Sequence, residues 1–319
     1  MKIICLFVIA VCSLFIACFS PLAEEDPSKG TITLNFGGMP VTSRAATMDN
    51  LQYKITLYNA DNPGDNGTEY GAKSGTSFRV TVDPGNYKIR LTARLHGALY
   101  ADGETDSDTP IRVTAGSSSS VTITLKVDIS AYLNDDVFSS SEFNSIDLPL
   151  AITLSSDKWD AILDAIRSQN KPVNLDLSQC KVNGTDLVGG SSNISSLILP
   201  NDIKTISTSA FSDFGMTGSL TIPGDVSIGI NAFEQNNFSE IFIGDNCVIG
   251  NNAFFGCYQI TSVTIGEGVK YNISSGNDTG TGIHGDFDFL FADPTTNTIP
   301  AGTYTWADED DSWSYVPLP

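Results

Sequence analysis

Between Asn174 and Gly266 five short segments share one alternation, two apolar residues separated by a single position. They are "NLDLS" (174–178), "SLILP" (196–200), "SLTIP" (219–223), "EIFIG" (240–244) and "SVTIG" (262–266). The apolar pairs are Leu175/Leu177, Leu197/Leu199, Leu220/Ile222, Ile241/Ile243 and Val263/Ile265, at steps of 22, 23, 21 and 22 residues. Alternation of period two signals a strand, and a fixed period of about this length signals a solenoid. One repeat cannot bury its apolar side alone, so the pattern predicts parallel strands whose pairs stack into a single inward column. After the middle three strands a second phrase recurs: "ISTSAF" (206–211), "IGINAF" (228–233) and "IGNNAF" (249–254). It is expected to return the chain along the opposite wall, with Phe211, Phe233 and Phe254 filling the interior and Ala beside each where the coil is narrow. "SDKWDAILDAIRSQN" is the one segment of helical period, with Trp159, Ile162, Leu163 and Ile166 on one stripe. Ser155 or Ser156 can cap its start, Asp157 and Asp160 suit the positive end of its dipole, and Asn170, Lys171 and Pro172 close it. Lying before the first strand, this helix predicts a terminal cap that keeps the solenoid's apolar interior from water.

From Gly30 to Val127 the alternation continues without the long period. In "YKIRLTARL" (87–95), Tyr87, Ile89, Leu91 and Ala93 share one side, while Lys88, Arg90, Thr92 and Arg94 share the other, a strand with one wet face. "SFRVTV" precedes it across "DPGN", read as the turn of a hairpin. "TITLNF", "YKITLY", "IRVTA" and "VTITLKV" repeat the pattern, and the expected result is a small antiparallel β-sandwich. It broadly resembles the immunoglobulin-like or transthyretin-like modules of secreted bacterial proteins. The Ser-rich stretch 128–156 reads as an interdomain connection, with Phe138 and Phe143 docked on a neighbour. The tail "GTYTWADEDDSWSYV" reads as a hairpin whose aromatic residues close the far end of the array.

The phrases "SLTIPGDVSIGINAF" and "EIFIGDNCVIGNNAFFGC" resemble the repeats of BspA-like leucine-rich repeat surface proteins, whose units run strand, Pro or Gly turn, "SIG", then "AF", often with a following "GC". "WDAILDAIRSQNKPVNLDLSQC" is similar to the amino-terminal cap that precedes such arrays, and the likeness spans about residues 150–270. Two departures stand out. The first interval, "KVNGTDLVGGSSN", lacks the Ala-Phe element, and after Ile265 the pattern dissolves into "GEGVKYNISSGNDTGTGIHG". The fold class expected is mainly β, an amino-terminal sandwich followed by a short helix-capped parallel solenoid. What the resemblance implies for function is adhesin-like binding at a cell surface, toward host proteins or other bacteria, without catalysis.

The chain's start changes where this fold would work. An apolar run from Ile3 to Ala17 follows Lys2 and ends abruptly at "CFSPLAEED", too short for a membrane span and shaped like a secretory signal. "LFIA" before Cys18 resembles a relaxed bacterial lipobox, which implies cleavage before Cys18 and lipid attachment to it. Cleavage near Ala23, giving a secreted protein without lipid, is the alternative. The expected division is a signal peptide at 1–17, a lipid-anchored tether at 18–29, the sandwich at 30–127 and a connection at 128–154. The cap helix follows at 155–172, the repeat array at 173–270, and a degenerate repeat with a capping hairpin at 271–319.

Without Lys2, 16 basic residues face 37 acidic ones. Nucleic acid and anionic lipid surfaces would repel such a chain. Cys180, Cys247 and Cys257 lack metal-site spacing, and Cys247 stands where Val226 stands one repeat earlier, as a small buried apolar residue. His96 and His284 fall in different domains and read as exposed loop residues rather than bases. The chain carries no GxSxG, HExxH or Walker sequence. "DNPGDNGTE" (61–69) misses the spacing of an EF-hand loop, so no metal and no cofactor are expected.

On each repeat strand the residues beside and between the apolar pair face away from the column: Asn174, Asp176, Ser196, Ile198, Ser219, Thr221, Glu240, Phe242, Ser262 and Thr264. The candidate partner-binding positions are Asp176, Ile198, Thr221, Glu240, Phe242 and Thr264. Among them Phe242 and Ile198 are apolar, and an exposed aromatic can anchor a partner; burial of Phe242 under the linker, the tail or the amino-terminal domain is the competing expectation. The favoured reading is a lipid-anchored surface protein that binds a host extracellular-matrix or plasma protein, or another bacterial surface protein. A periplasm-facing structural or assembly lipoprotein is the alternative, and a carbohydrate-binding protein or glycosidase stands behind both.

Overall fold

The structure, a computed structural model, describes residues 26–37, 51–62, 64–72, 77–105, 109–272, 280–285, 287, 291–293 and 295–318. The apolar leader and Cys18 lie outside the described residues.

The amino-terminal half contributes β1 (Gly30–Gly37), β2 (Gln52–Asn59), β3 (Thr68–Ala72), β4 (Ser77–Val82), β5 (Gly85–Leu95), β6 (Ala98–Glu104), β7 (Ile111–Val113), β8 (Ser118–Thr124) and β9 (Lys126–Val127). One sheet has the order β4-β1-β8 and the other β3-β2-β5-β6-β9, with β7 beside β5. Ile32, Leu34 and Val80 from the first sheet and Ile55, Ile89 and Leu91 from the second are buried. The hairpin expected at "DPGN" does not form. β4 pairs with β1, whereas β5 pairs with β2 and β6, so this turn carries the chain from one sheet to the other. Gly85 and Asn86 already belong to β5, which leaves Asp83 and Pro84 as a two-residue loop. The ring of Pro84 holds φ near −65°, excluding the positive φ that a type I′ hairpin requires there. A second departure is that β1 and β8 run parallel, so the smaller sheet is mixed.

The Ser-rich connection folds as α1 (Ile129–Leu133), a 3-10 turn at Asp136–Ser139 and β10 (Ile146–Pro149). Asp128 caps α1 by accepting the Ala131 N–H at 2.9 Å. Edge-to-face ring pairs link Tyr100, Tyr132, Phe138 and Phe143 at centroid distances of 5.3, 5.1 and 5.2 Å. The Tyr132 hydroxyl donates to the Asp147 carbonyl at 2.8 Å, and that of Tyr100 to the Pro149 carbonyl. These contacts tie the second sheet of the sandwich to β10, which is itself the first strand of the repeat sheet.

α2 (Ser156–Arg167) buries Trp159, Ile162, Leu163, Ala165 and Ile166. Ser155 occupies the cap position but its side chain makes no capping bond, which leaves Asp157 as the acid of the first turn. The chain then coils through β11 (Val173–Asp176), β12 (Ile194–Ile198), β13 (Thr205–Ile206), β14 (Thr217–Ile222), β15 (Ser227–Ile228), β16 (Asn237–Ile243), β17 (Val248–Ile249), β18 (Ser262–Ile265) and β19 (Lys270–Tyr271). A final hairpin, β20 (Gly302–Ala307) and β21 (Ser312–Pro317), follows. The result is a β-solenoid of about four turns at 173–271. Its broad wall has the order β10-β11-β12-β14-β16-β18-β20-β21 and its narrow wall the order β13-β15-β17-β19. The pairing is parallel as far as β18, where β20 joins antiparallel and ends the stack.

Leu175, Leu177, Leu197, Leu199, Leu220, Ile222, Ile241, Ile243, Val263 and Ile265 are no more than 2 % exposed. Opposite them Phe211, Phe233 and Phe254 stack face to face, centroids 5.2 and 5.6 Å apart and ring planes within 4°. Trp159 closes this ring column from α2, edge-on to Phe211 at 6.4 Å. At the other end Phe287 packs on Tyr304 at 4.9 Å and Trp313 at 5.3 Å.

The tight corners explain residues that hydrophobic patterning leaves unread. Ser209, Asn231 and Asn252, each just before the Ala of its coil, have φ of 55, 56 and 59°. Asp225 and Asn246 take φ of 61 and 58° at another corner. Left-handed backbone disfavours bulky side chains and tolerates Asn and Asp, so the corner residues are those the turn permits. Gly250 in "SIG"-type position stands for a different constraint, since a Cβ there would lie 2.6 Å from the Gly229 backbone of the coil below. Past Ile265 the coil continues although its sequence signature does not. Phe254 N–H donates to Thr281 O at 2.9 Å, as Phe233 N–H donates to Ala253 O at 2.8 Å, so buried Thr281 takes the Ala position.

Asn236 is fully buried, donating to the carbonyls of Phe211 (2.7 Å) and Phe233 (2.9 Å) and accepting the Met216 N–H at 3.0 Å. Asn236→Ala would strand the Phe211 carbonyl and the Met216 N–H without water and leave the Phe233 carbonyl with the Cys257 thiol alone, and is expected to destabilise the fold by about 2–3 kcal/mol in urea unfolding. A loss under about 0.5 kcal/mol would contradict that assignment.

Candidate functional site on the outer face of the repeat sheet

Strand register turns the outward residues into two rows. One runs Asp176, Ile198, Thr221, Phe242 and Thr264, then Thr303 and Val316 of the closing hairpin. The other runs Asp147, Asn174, Ser196, Ser219, Glu240 and Ser262. Five of the six sequence-selected positions thus share a row, and Glu240 stands in its neighbour. Ser196 and Ser219 hydroxyls bond across strands at 2.9 Å, as a solvated sheet face does.

A groove of about 490 Å³ follows the first row where the strands meet their corners. Ile198, Thr221, Phe242 and Thr264 line it, with Asp245 from a corner and Leu318 from the chain's end. Asp176 and Glu240 are not among its lining residues. Phe242 is 39 % exposed, so the burial weighed against it is not what the structure has. Val316 and Leu318, 65 and 44 % exposed, extend this apolar strip. Sequence reading missed both, together with the corner acids. Alternation in "SWSYV" puts Val316 opposite Trp313 and Tyr315, but only pairing of β20 on β18 aligns it with Phe242.

The remaining candidate chemistry is structural. Both histidines are half-buried, not exposed as expected. His96, with φ of 53° at the β5–β6 turn, packs edge-on to Phe143 at 6.2 Å. His284 bonds the Ile260 carbonyl at 2.8 Å and packs edge-on to Trp306 at 4.7 Å and tilted against Trp313 at 5.4 Å. In the acidic loop at 61–69, Asp65 accepts the N–H of Asn59 and of Gly67, which lowers its pKa, while Asp61 bonds Asn86. Among the described residues no cluster of His, Cys, Asp and Glu is arranged to hold a metal.

Cys180, Cys247 and Cys257 are free and buried. Cys247 and Cys257 donate to the carbonyls of Pro223 and Phe233, each at 3.2 Å. Burial pushes Cys180 and Cys257 up to about 11 from an ordinary value of 9.0. Their neutral form therefore contributes stability that is complete below about pH 9 and lost as pH rises through about 11. Urea midpoints should fall across that window, and the folded protein should resist alkylation that the urea-unfolded protein undergoes.

The class these features define is a helix-capped β-solenoid. Residues 187–276 match the family model of the BspA type leucine rich repeat region in six copies. The matched segment begins within the interval that lacks an Ala-Phe element and passes beyond Ile265. No curated protein matches the chain. Repeats of this type generally mediate protein–protein interaction or adhesion, are typically surface-associated and are generally non-catalytic. Among the described residues no helix is long and apolar enough to cross a membrane.

Proposed function

We propose that this is an exported protein, anchored through lipid on Cys18, whose repeat sheet binds a protein at the cell surface as an adhesin does. Its partner is a host extracellular-matrix or plasma protein, or another bacterial surface protein. The sandwich (30–127) serves as a spacer between anchor and array. The observation that supports the reading best is Phe242, exposed in a groove that Ile198 also lines, within the matched repeats. A half-exposed aromatic set among small residues is the usual form of an anchoring position.

The test is binding of the soluble chain, without its leader, to a panel of matrix and plasma proteins beside the Phe242→Ala variant. Saturable binding that drops about tenfold or more in the variant is expected, with folding stability changed by no more than about 0.5 kcal/mol because the ring lies outside the core. Binding indifferent to Phe242→Ala would move the site off this face. A periplasm-facing assembly role is the second reading, favoured by the shortness of an array of about four turns. Protease treatment of intact cells separates the two, since a periplasm-facing protein would survive it.

A further inference from the structure

The two outward rows contain acids and no base. Asp147 and Glu240 stand in one row and Asp176 in the other, and neither row holds Lys, Arg or His from Asp147 through Val316. Both ends of the strands add to this. Each corner after a repeat strand carries an acid, Asp202, Asp225, Asp245 and Glu267 in successive coils, and Asp225 and Asp245 line the groove itself. At the opposite strand ends the tip of the β20–β21 hairpin exposes Asp308, Glu309, Asp310 and Asp311. Lys204 lies 3.9 Å from Asp225, with both side chains mostly exposed. An apolar floor of Ile198, Phe242 and Leu318 therefore runs beside an acidic margin of corner residues.

We propose that the groove takes an extended, lysine- or arginine-rich segment of a partner protein, with one apolar side chain seated on Phe242. This rests on the sheet face being the binding surface and adds the partner's chemistry to it. The groove crosses β12, β14, β16 and β18, about 14 Å at the usual strand spacing, which is the reach of about four extended residues. That length suits a peptide segment rather than a folded domain, and cations on either side of the anchor would meet the corner acids. A second copy is a poor occupant, because a chain of net charge −20 repels itself. Polyanions are repelled for the same reason.

The experiment uses the leaderless full chain and three fluorescent synthetic peptides: lysines and serines around a central leucine, the same peptide with glutamate for lysine, and the lysine peptide without leucine. Anisotropy should detect binding of the first alone, weakened several-fold between low and physiological ionic strength. Phe242→Ala should weaken it about tenfold, and the charge-removing pair Asp225→Asn/Asp245→Asn several-fold. Both variants alter exposed positions, and unchanged urea midpoints would establish that they fold. Equal binding of the acidic peptide, or lysine-peptide binding untouched by Phe242→Ala, overturns the proposal. If a panel protein binds through Phe242 without salt dependence while the lysine peptide does not, the surface reading stands and the charge reading falls. If neither binds, both fall.

Discussion

Phe233→Ala is expected to destabilise the protein by about 3–5 kcal/mol, the usual range for removing a buried aromatic ring. Phe233 is fully buried and holds the middle of the stack, with Phe211 at 5.2 Å on one side, Phe254 at 5.6 Å on the other and Phe238 edge-on at 6.2 Å. A void there cannot readily collapse, because backbone hydrogen bonds between successive coils fix their spacing. In a solenoid each coil is stabilised chiefly by its neighbours. The same change should therefore also lower cooperativity, seen as a reduced urea m-value as the two halves of the array begin to melt separately. Phe233→Leu should recover part of the loss. An effect under about 1 kcal/mol would mean that the ring column is not what couples the coils.

Trp159→Ala should have a comparable overall effect, about 3–5 kcal/mol, but distributed differently. Trp159 is 1 % exposed, covers the end of the ring column and donates its indole N–H to the Val188 carbonyl at 2.9 Å. Removing it uncovers one end of the array while leaving the inter-coil contacts of the far coils in place. Amide exchange should accelerate most in α2, β11 and β12 and least in β16 and β18, because opening a capped array starts at the damaged end. Uniform acceleration across all coils would contradict the cap role of α2. The two variants together distinguish coupling within the column from closure of its end.

Much of the solenoid was legible beforehand because its cause is periodic. Two apolar residues per strand and one Phe per return wall, repeated near 22 residues, leave few arrangements that bury them all. Other features were hidden for specific reasons. β10 has only Ile146 and Leu148 to identify it and lacks a preceding repeat to set its phase. Asn236 reads as an ordinary polar residue, and only the coil geometry turns three backbone groups toward it. The parallel pairing of β1 with β8 leaves no mark in either strand, since alternation is the same whichever way a neighbour runs.

The candidate site divides in the same way. Sequence alone placed Ile198 and Phe242 outward, by period two against the buried pairs, and thereby determined the inward column and its outward counterpart. Alternation cannot reach across a chain reversal, so Val316 joined the outward row, and the corner acids Asp225 and Asp245 joined the groove, only through tertiary register. The sheet swap at "DPGN" and the continuation of the coil through Thr281 were likewise decided by long-range backbone pairing. Local pattern determines which side of a strand is apolar; which strand lies next to it depends on hydrogen bonds between segments far apart in the chain.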